Sequence, residues 1–143
     1  MNIKKIKLSE LSDSQIKRVE KLTIQDSSLL RYLCNYVDDP KIENDRIILL
    51  AENVRGIIGW TLVGLDEDFG MDGEGTIHLN IDPSLRGSGI GTDLFEQALE
   101  EVLSLGFKKI LTYGHDEIST HFFNSKKIQD LCREKGIVME VIL

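Results

Sequence analysis

The chain has 143 residues, of which 41% are hydrophobic and 29% are charged, so we expect one globular domain, residues 1–143, around a single core. Seventeen basic and 24 acidic residues give a net charge of −7, which argues against nucleic-acid and membrane partners. This charge either only keeps the protein soluble or mildly favours a cationic substrate. Cys34 and Cys132 lie far apart in no ligand-like spacing, and no stretch approaches the roughly twenty apolar residues of a membrane span, so we predict a cytosolic (cytoplasmic) protein with neither disulfide framework nor bound metal.

The first half of the chain predicts helices between a strand and a hairpin. Apolar residues alternate with basic ones at the start, recur at helical spacing next, and then form two runs around a tight turn. Ser12 or Asp13 is expected to cap the first helix. The predicted elements are a strand at 3–8, helices at 12–25 and 27–37, and strands at Ile47–Glu52 and Gly56–Gly64.

The second half predicts strands that alternate with helices. An acidic, glycine-rich stretch at 66–75 is expected to be a surface loop, because its spacing does not match a calcium-binding loop. A helix with an apolar stripe from Ile90 to Leu105 is expected to stop at Gly106, and a later one at Gly136. The predicted elements are strands at 76–81, 108–113 and 137–143, with the later helix at 120–135.

The stretch LNIDPSLRGSGIGTDLFEQALEEVL, residues 79–103, joins a strand to a helix through a proline and three glycines. The first N–H groups of a helix lack partners and carry the positive end of its dipole, so this turn predicts a phosphate site, unless it only packs the helix tightly on the strand. A P-loop requires lysine after its last glycine, but Gly91 is followed by Thr92 and Asp93. The dinucleotide motif meets Thr92 where its third glycine belongs, and the neighbouring hairpin argues against that fold.

The same stretch resembles the acyl-CoA loop of the GNAT superfamily of N-acetyltransferases. The family signature is Arg or Gln, two residues, Gly, one residue, then Gly or Ala, and the matching positions are Arg86, Gly89 and Gly91. The likeness extends to the strand end at Ile81 and to the order of elements along the chain. It implies an α/β fold whose central mixed, mostly antiparallel sheet of about six strands has helices on both faces and splays between the fourth and fifth strands.

The resemblance implies an N-acetyltransferase that moves an acetyl group from acetyl-CoA, its co-substrate, to an amine by direct attack in a ternary complex. The acceptor would be a small-molecule amine or a peptide or protein amine. In the family, backbone N–H groups of the turn hold the pyrophosphate, and the preceding strand pairs with the pantetheine arm. The implied cofactor-binding residues are Leu79, Ile81, Arg86, Gly87, Ser88, Gly89, Ile90, Gly91 and Thr92, with Ser125 in the place of a family asparagine.

The sequence departs from the family at the residue that protonates the CoA thiolate. LCREKGI, residues 131–137, aligns with a motif whose tyrosine has that role, so Cys132 takes the place of the tyrosine. A thiol can donate a proton, or Cys132 is a small buried hydrophobe and Tyr113 or a water replaces it. The chain also has one strand after Gly136 where most relatives have two, which leaves the acceptor side shorter or completed by a second subunit, as in a homodimer.

The general base is also open at this stage. No glutamate matches the family's usual position, and His78 is the first candidate because histidine titrates near the working pH, although it can equally be a structural residue of its strand. Trp60 and Phe69 either frame an acceptor pocket or belong to the core. Other candidates for the base surround the next strand end: Tyr113, His115, Asp116, Glu117 and His121.

These departures favour a second hypothesis, a catalytically degenerate GNAT-like protein that binds acyl-CoA or a partner without turnover. A nucleotide-binding module is the third hypothesis.

Overall fold

The computed structural model describes residues 2–7, 10–22, 47–65, 75–81, 87–113 and 117–142. The predicted helix at 27–37 and almost all of the predicted loop at 66–75 lie outside these residues. The described elements are β1 (Asn2–Lys7), α1 (Asp13–Leu22), β2 (Ile47–Asn53), β3 (Gly56–Leu65), β4 (Gly75–Ile81), α2 (Ile90–Ser104), β5 (Lys109–Tyr113), α3 (Glu117–Asn124), α4 (Lys126–Glu134) and β6 (Val138–Ile142).

The described strands form one mixed sheet whose spatial order follows the chain, β1-β2-β3-β4-β5-β6. The first four strands pair antiparallel, and β4, β5 and β6 pair parallel. The hairpin of β2 and β3 turns through two residues, with the side chain of Asn53 accepting the N–H of Arg55 at 2.8 Å. Parallel neighbours require a crossover, which is why α2 connects β4 to β5, and α3 with α4 connects β5 to β6.

Local chemistry decides where three helices begin or end. Ser12 caps α1 as half of a capping box: its hydroxyl accepts the N–H of Gln15 at 3.2 Å, and the Gln15 side chain accepts the N–H of Ser12 at 2.8 Å. Gly106 and Gly136 follow the last residues of α2 and α4 at φ 89° and 70°. Their N–H groups bond back into the helices, so the predicted glycine stops are confirmed.

The core is divided in two, whereas the composition predicted a single core. The sheet carries helices on both faces, and successive strand residues point to opposite faces, so Leu49 and Ile48 belong to different clusters. The main core packs α2, α3 and α4 on one face, with Phe95 fully buried. The second core packs α1 on the other face, around Trp60 and Leu62.

The single helix predicted at 120–135 is wrong, because the structure has two helices, α3 and α4, that meet at Ser125. Ser125 is extended, at φ −65° and ψ 149°. Its hydroxyl donates to the carbonyl of Phe122 at 2.7 Å, and its carbonyl accepts the first bond of α4 from Gln129 at 3.0 Å. This side-chain bond to the backbone competes with helical pairing, and apolar periodicity carries no trace of it.

Candidate functional site

The pairing between β4 and β5 ends about halfway along β4. Their pairing covers three rungs, of which Ile77 with Thr112 is the last. Beyond it β4 runs on to Ile81 and stays paired with β3. Within the described residues the backbone of 78–81 therefore has no strand on its β5 side, which leaves a wedge-shaped gap, here called the wedge, between residues 78–81 of β4 and the end of β5.

The glycine turn lies at the N-terminus of α2 and is shaped for an anion. Gly87 and Gly89 have φ of 84° and 90°, a left-handed conformation that favours glycine, and a Cβ at either would meet nothing within 4 Å. The first helical bond runs from the N–H of Asp93 to the carbonyl of Gly89 at 3.1 Å. The amides of Ile90, Gly91 and Thr92 precede that bond and have no acceptor inside the helix.

This donor set is open to an anion from outside the helix. Gly89 stands at the N-cap and has no side chain with which to cap the first N–H groups of the helix. Both glycines are exposed, and the open space where a Cβ would be lets a bulky anion approach the backbone. Ile90 is buried in the main core and fixes the helix start against the sheet. Arg86, the first residue of the motif, lies outside the described residues.

The two titratable residues favoured for proton transfer flank the point where the strands part. His78 follows the last rung on β4 and pairs with Leu62 of β3, and Tyr113 follows it on β5 and pairs with Ile142 of β6. Leu79 and Ile81 lie on the unpaired half of β4. The fold therefore brings Tyr113 of β5 beside three residues of β4 that are distant from it in sequence.

The other candidates lie on α3, in the second core or outside the described residues. Glu117 is the first residue of α3, and His121 lies exposed near its end. Trp60 is 1% exposed and belongs to the second core, as the core interpretation of it requires. Phe69, His115 and Asp116 lie outside the described residues.

Cys132 lies on α4 with 3% of its surface exposed and packs in the main core. Burial raises the pKa of its thiol to about 11, so the proton is held firmly at neutral pH. Of the two roles that the sequence left open, this environment favours the buried hydrophobe. Its role as an acid stays a prediction.

Ser125 is half-buried, and its one hydroxyl hydrogen is donated to Phe122 within the α3–α4 junction. It can offer a ligand lone pairs only, unless that bond breaks.

Sequence reasoning did not single out Thr112. Its side chain is fully buried at the last rung of the wedge, and its hydroxyl has no hydrogen-bond partner in the described structure. The indole N–H of Trp60 is likewise buried without a described partner, on the opposite face. A threonine in a strand is ordinary, so no sequence signal could have found it.

A family model described as the acetyltransferase (GNAT) family matches residues 15–126, which is more than half of the chain. The chain belongs to the GNAT family. The match includes the glycine turn, the whole of α2 and both strands of the wedge, so the resemblance drawn from the motif is confirmed.

Solved structures share this GNAT fold at low identity. An aminoglycoside antibiotic 6′-N-acetyltransferase from Acinetobacter haemolyticus is 18% identical with a TM-score of 0.62, over 100% of this chain and 96% of that one. Glucosamine-6-phosphate N-acetyltransferase from Arabidopsis thaliana is 18% identical with a TM-score of 0.56, over 100% and 96%. An aminoglycoside 6′-N-acetyltransferase complexed with coenzyme A is 19% identical with a TM-score of 0.53, over 74% and 57%. No curated protein matches the chain in sequence.

Two features are absent from the described residues. No cluster of three or more His, Cys, Asp or Glu side chains there could hold a metal ion. None of the helices in that part of the chain has the length and apolar character needed to cross a membrane.

Proposed function

We propose that this GNAT protein is an N-acetyltransferase that transfers the acetyl group of acetyl-CoA to an amine. One observation carries the proposal: two left-handed glycines lead into the uncapped start of α2, and the strand before that turn runs beside a wedge. An anion site and an open strand edge in succession suit a long substrate with a diphosphate at one end. A GNAT relative of the same fold is known in complex with coenzyme A, which supports the use of an acyl-CoA.

Binding is divided between the turn and the strand. Residues 87–92 would receive the diphosphate on their backbone N–H groups, and Arg86 would add a charge-assisted contact. The backbone of Leu79 and Ile81 would pair with the pantetheine arm along the wedge. Ser125 is omitted from this set because its hydroxyl hydrogen is donated to Phe122.

Acetyl-CoA supplies the acetyl group as a thioester. His78 would take the proton that the amine loses as its nitrogen bonds to the carbonyl carbon. Tyr113 would give a proton to the sulfur as the carbon–sulfur bond breaks, since Cys132 is packed in the main core. Backbone N–H groups of β4 would stabilise the oxyanion that forms between these events.

For the acceptor we propose a small cationic amine. The net charge of −7 attracts cations at long range. GNAT relatives of this fold are named for aminoglycosides and for glucosamine-6-phosphate, which are small-molecule amines. A peptide acceptor, a homodimer and a cytosolic location stay predictions.

A second candidate function is acyl-CoA binding without turnover, which is favoured by the burial of Cys132 where the family places its tyrosine. To separate the two, we would incubate the protein with acetyl-CoA and a panel of amines and follow the release of free thiol, with acetyl-CoA binding measured by calorimetry. Thiol release above the rate without amine supports the acetyltransferase. Tight binding with no release supports the second candidate, and stabilisation by ATP or NAD but not by acetyl-CoA would overturn both.

A further inference from the structure

The hydroxyl of Thr112 is a buried polar group in apolar surroundings. The side chain is 0% exposed, and the hydroxyl finds no partner among the described residues. Its in-register neighbours are Ile77 on β4 and Val141 on β6, and Ile110 precedes it on the same face. Buried hydroxyls are nearly always hydrogen-bonded, because an unmade bond costs stability, so this one requires an explanation.

The position of Thr112 supplies one. Thr112 and Ile77 form the last rung before β4 and β5 part, so the backbone of Thr112 lies at the closed end of the wedge. Ile77 and Ile110 belong to the main core, which places Thr112 on the face of the sheet that carries α2. From Ile77 to Ile81 the open half of β4 spans about 13 Å, and the chain then leads to the glycine turn.

We propose that Thr112 is a binding residue for the acyl-CoA arm, with its hydroxyl hydrogen-bonded to the arm at the thioester end. The inference rests on the proposed function. A molecule held by its diphosphate at residues 87–92 would extend its arm along β4 towards the closed end. The Thr112 side chain leaves the sheet beside that end, among apolar residues of the main core. The arm carries amide groups and a thioester carbonyl, and a hydroxyl can donate to their oxygens or accept an amide N–H.

Three proteins and two ligands test the proposal. Thr112→Val keeps the shape of the side chain and removes the hydroxyl, and Thr112→Ser keeps the hydroxyl and removes the methyl group. Calorimetry would measure the affinity of each variant and the wild type for acetyl-CoA and for 3′-phosphoadenosine 5′-diphosphate, which has the diphosphate but no arm. Urea unfolding without ligand would measure stability.

We expect Thr112→Val to bind acetyl-CoA about fivefold more weakly, as the loss of one neutral hydrogen bond predicts, and to bind the armless nucleotide unchanged. Thr112→Ser should bind acetyl-CoA as the wild type does. Without ligand, Thr112→Val should be at least as stable as the wild type, because a methyl group replaces a hydroxyl that has no partner among the described residues.

Equal acetyl-CoA affinity in the wild type and Thr112→Val would overturn this inference alone. A Thr112→Val protein that is less stable without ligand, or that loses affinity for both ligands equally, would assign the hydroxyl to a buried water or to the fold and would also overturn it. A wild type that binds neither ligand would overturn the proposed function and this inference together.

Discussion

At the scale of single residues, Gly89 carries the strongest prediction. Gly89→Asp should weaken acetyl-CoA binding at least 100-fold, because it puts a carboxylate beside the N–H groups that we assign to the diphosphate. Calorimetry with acetyl-CoA measures the effect. Since Gly89 has φ 90°, any replacement also strains the backbone.

Two controls separate charge from strain in that experiment. Gly89→Asn has nearly the same shape, tolerates a left-handed conformation better than most residues and is neutral, so it should bind acetyl-CoA more tightly than Gly89→Asp. Gly56→Asp places the same side chain at φ 106° in the β2–β3 turn, where a Cβ also meets nothing within 4 Å. Full affinity in Gly89→Asp would refute the anion site.

Cys132 gives a prediction about pH at the same scale. Burial raises the pKa of its thiol from 9.0 to about 11, so the folded protein holds a proton that the unfolded chain releases earlier. Its contribution to stability is therefore complete below pH 9 and is lost as the pH rises to about 11, and it amounts to roughly 2–3 kcal/mol.

Urea unfolding from pH 7 to pH 11 would detect this loss against a variant with no thiol. Lysines also titrate in this range, so the quantity to measure is the difference between the wild type and Cys132→Val. The wild type should lose more stability than Cys132→Val above pH 9. Parallel curves would mean that the thiol is not desolvated as its 3% exposure indicates.

At the scale of elements, the junction between α3 and α4 is held by a short network. Beside the Ser125 hydroxyl bond, the side-chain amide of Gln129 donates to the carbonyl of Phe123 at 3.0 Å. Phe122 and Phe123 contact each other and Phe95 of α2, with ring centroids 5.3–6.1 Å apart. These contacts fix the end of α3 against the helix that begins at the glycine turn.

Ser125→Ala tests the junction. We expect a loss of about 1 kcal/mol in the free energy of unfolding, because the Phe122 carbonyl loses its side-chain donor. Acetyl-CoA affinity should change less than twofold, since the hydroxyl hydrogen is already used inside the protein. Urea unfolding and calorimetry give the two values, and a large loss of affinity with stability unchanged would restore Ser125 to the binding set.

Local chemistry explains which elements could be predicted. The capping residue Ser12, the stops at Gly106 and Gly136, and the glycine turn each depend on a few neighbouring residues, so the sequence alone suffices. The break at Ser125 depends on a competition between two hydrogen bonds, which apolar periodicity does not register. The surroundings of the Thr112 hydroxyl, which has no hydrogen-bond partner in the described structure, are formed by residues from three strands, so only the folded chain reveals them.

At the scale of the whole molecule, the net charge affects the two proposed substrates in opposite ways. The net charge of −7 has the same sign as the charge of the proposed substrate, acetyl-CoA. A diphosphate at the glycine turn would therefore be held by local dipoles and not by the overall field. An acceptor that is a cation meets the opposite situation, because the overall field favours its approach.

This difference predicts how salt affects turnover. With acetyl-CoA saturating, raising the salt from about 10 mM to about 150 mM shortens the screening length from about 30 Å to about 8 Å, so long-range attraction is largely lost. We expect kcat/KM for a polyamine to fall at least threefold, while kcat/KM for a monoamine of similar length changes less. Steady-state assays of thiol release at both salt concentrations measure the change in kcat/KM for each amine. An equal change in kcat/KM for the two amines would show that the acidic surface plays no part in selecting the acceptor. This surface includes the exposed residues Asp93, Glu96 and Glu100 along α2.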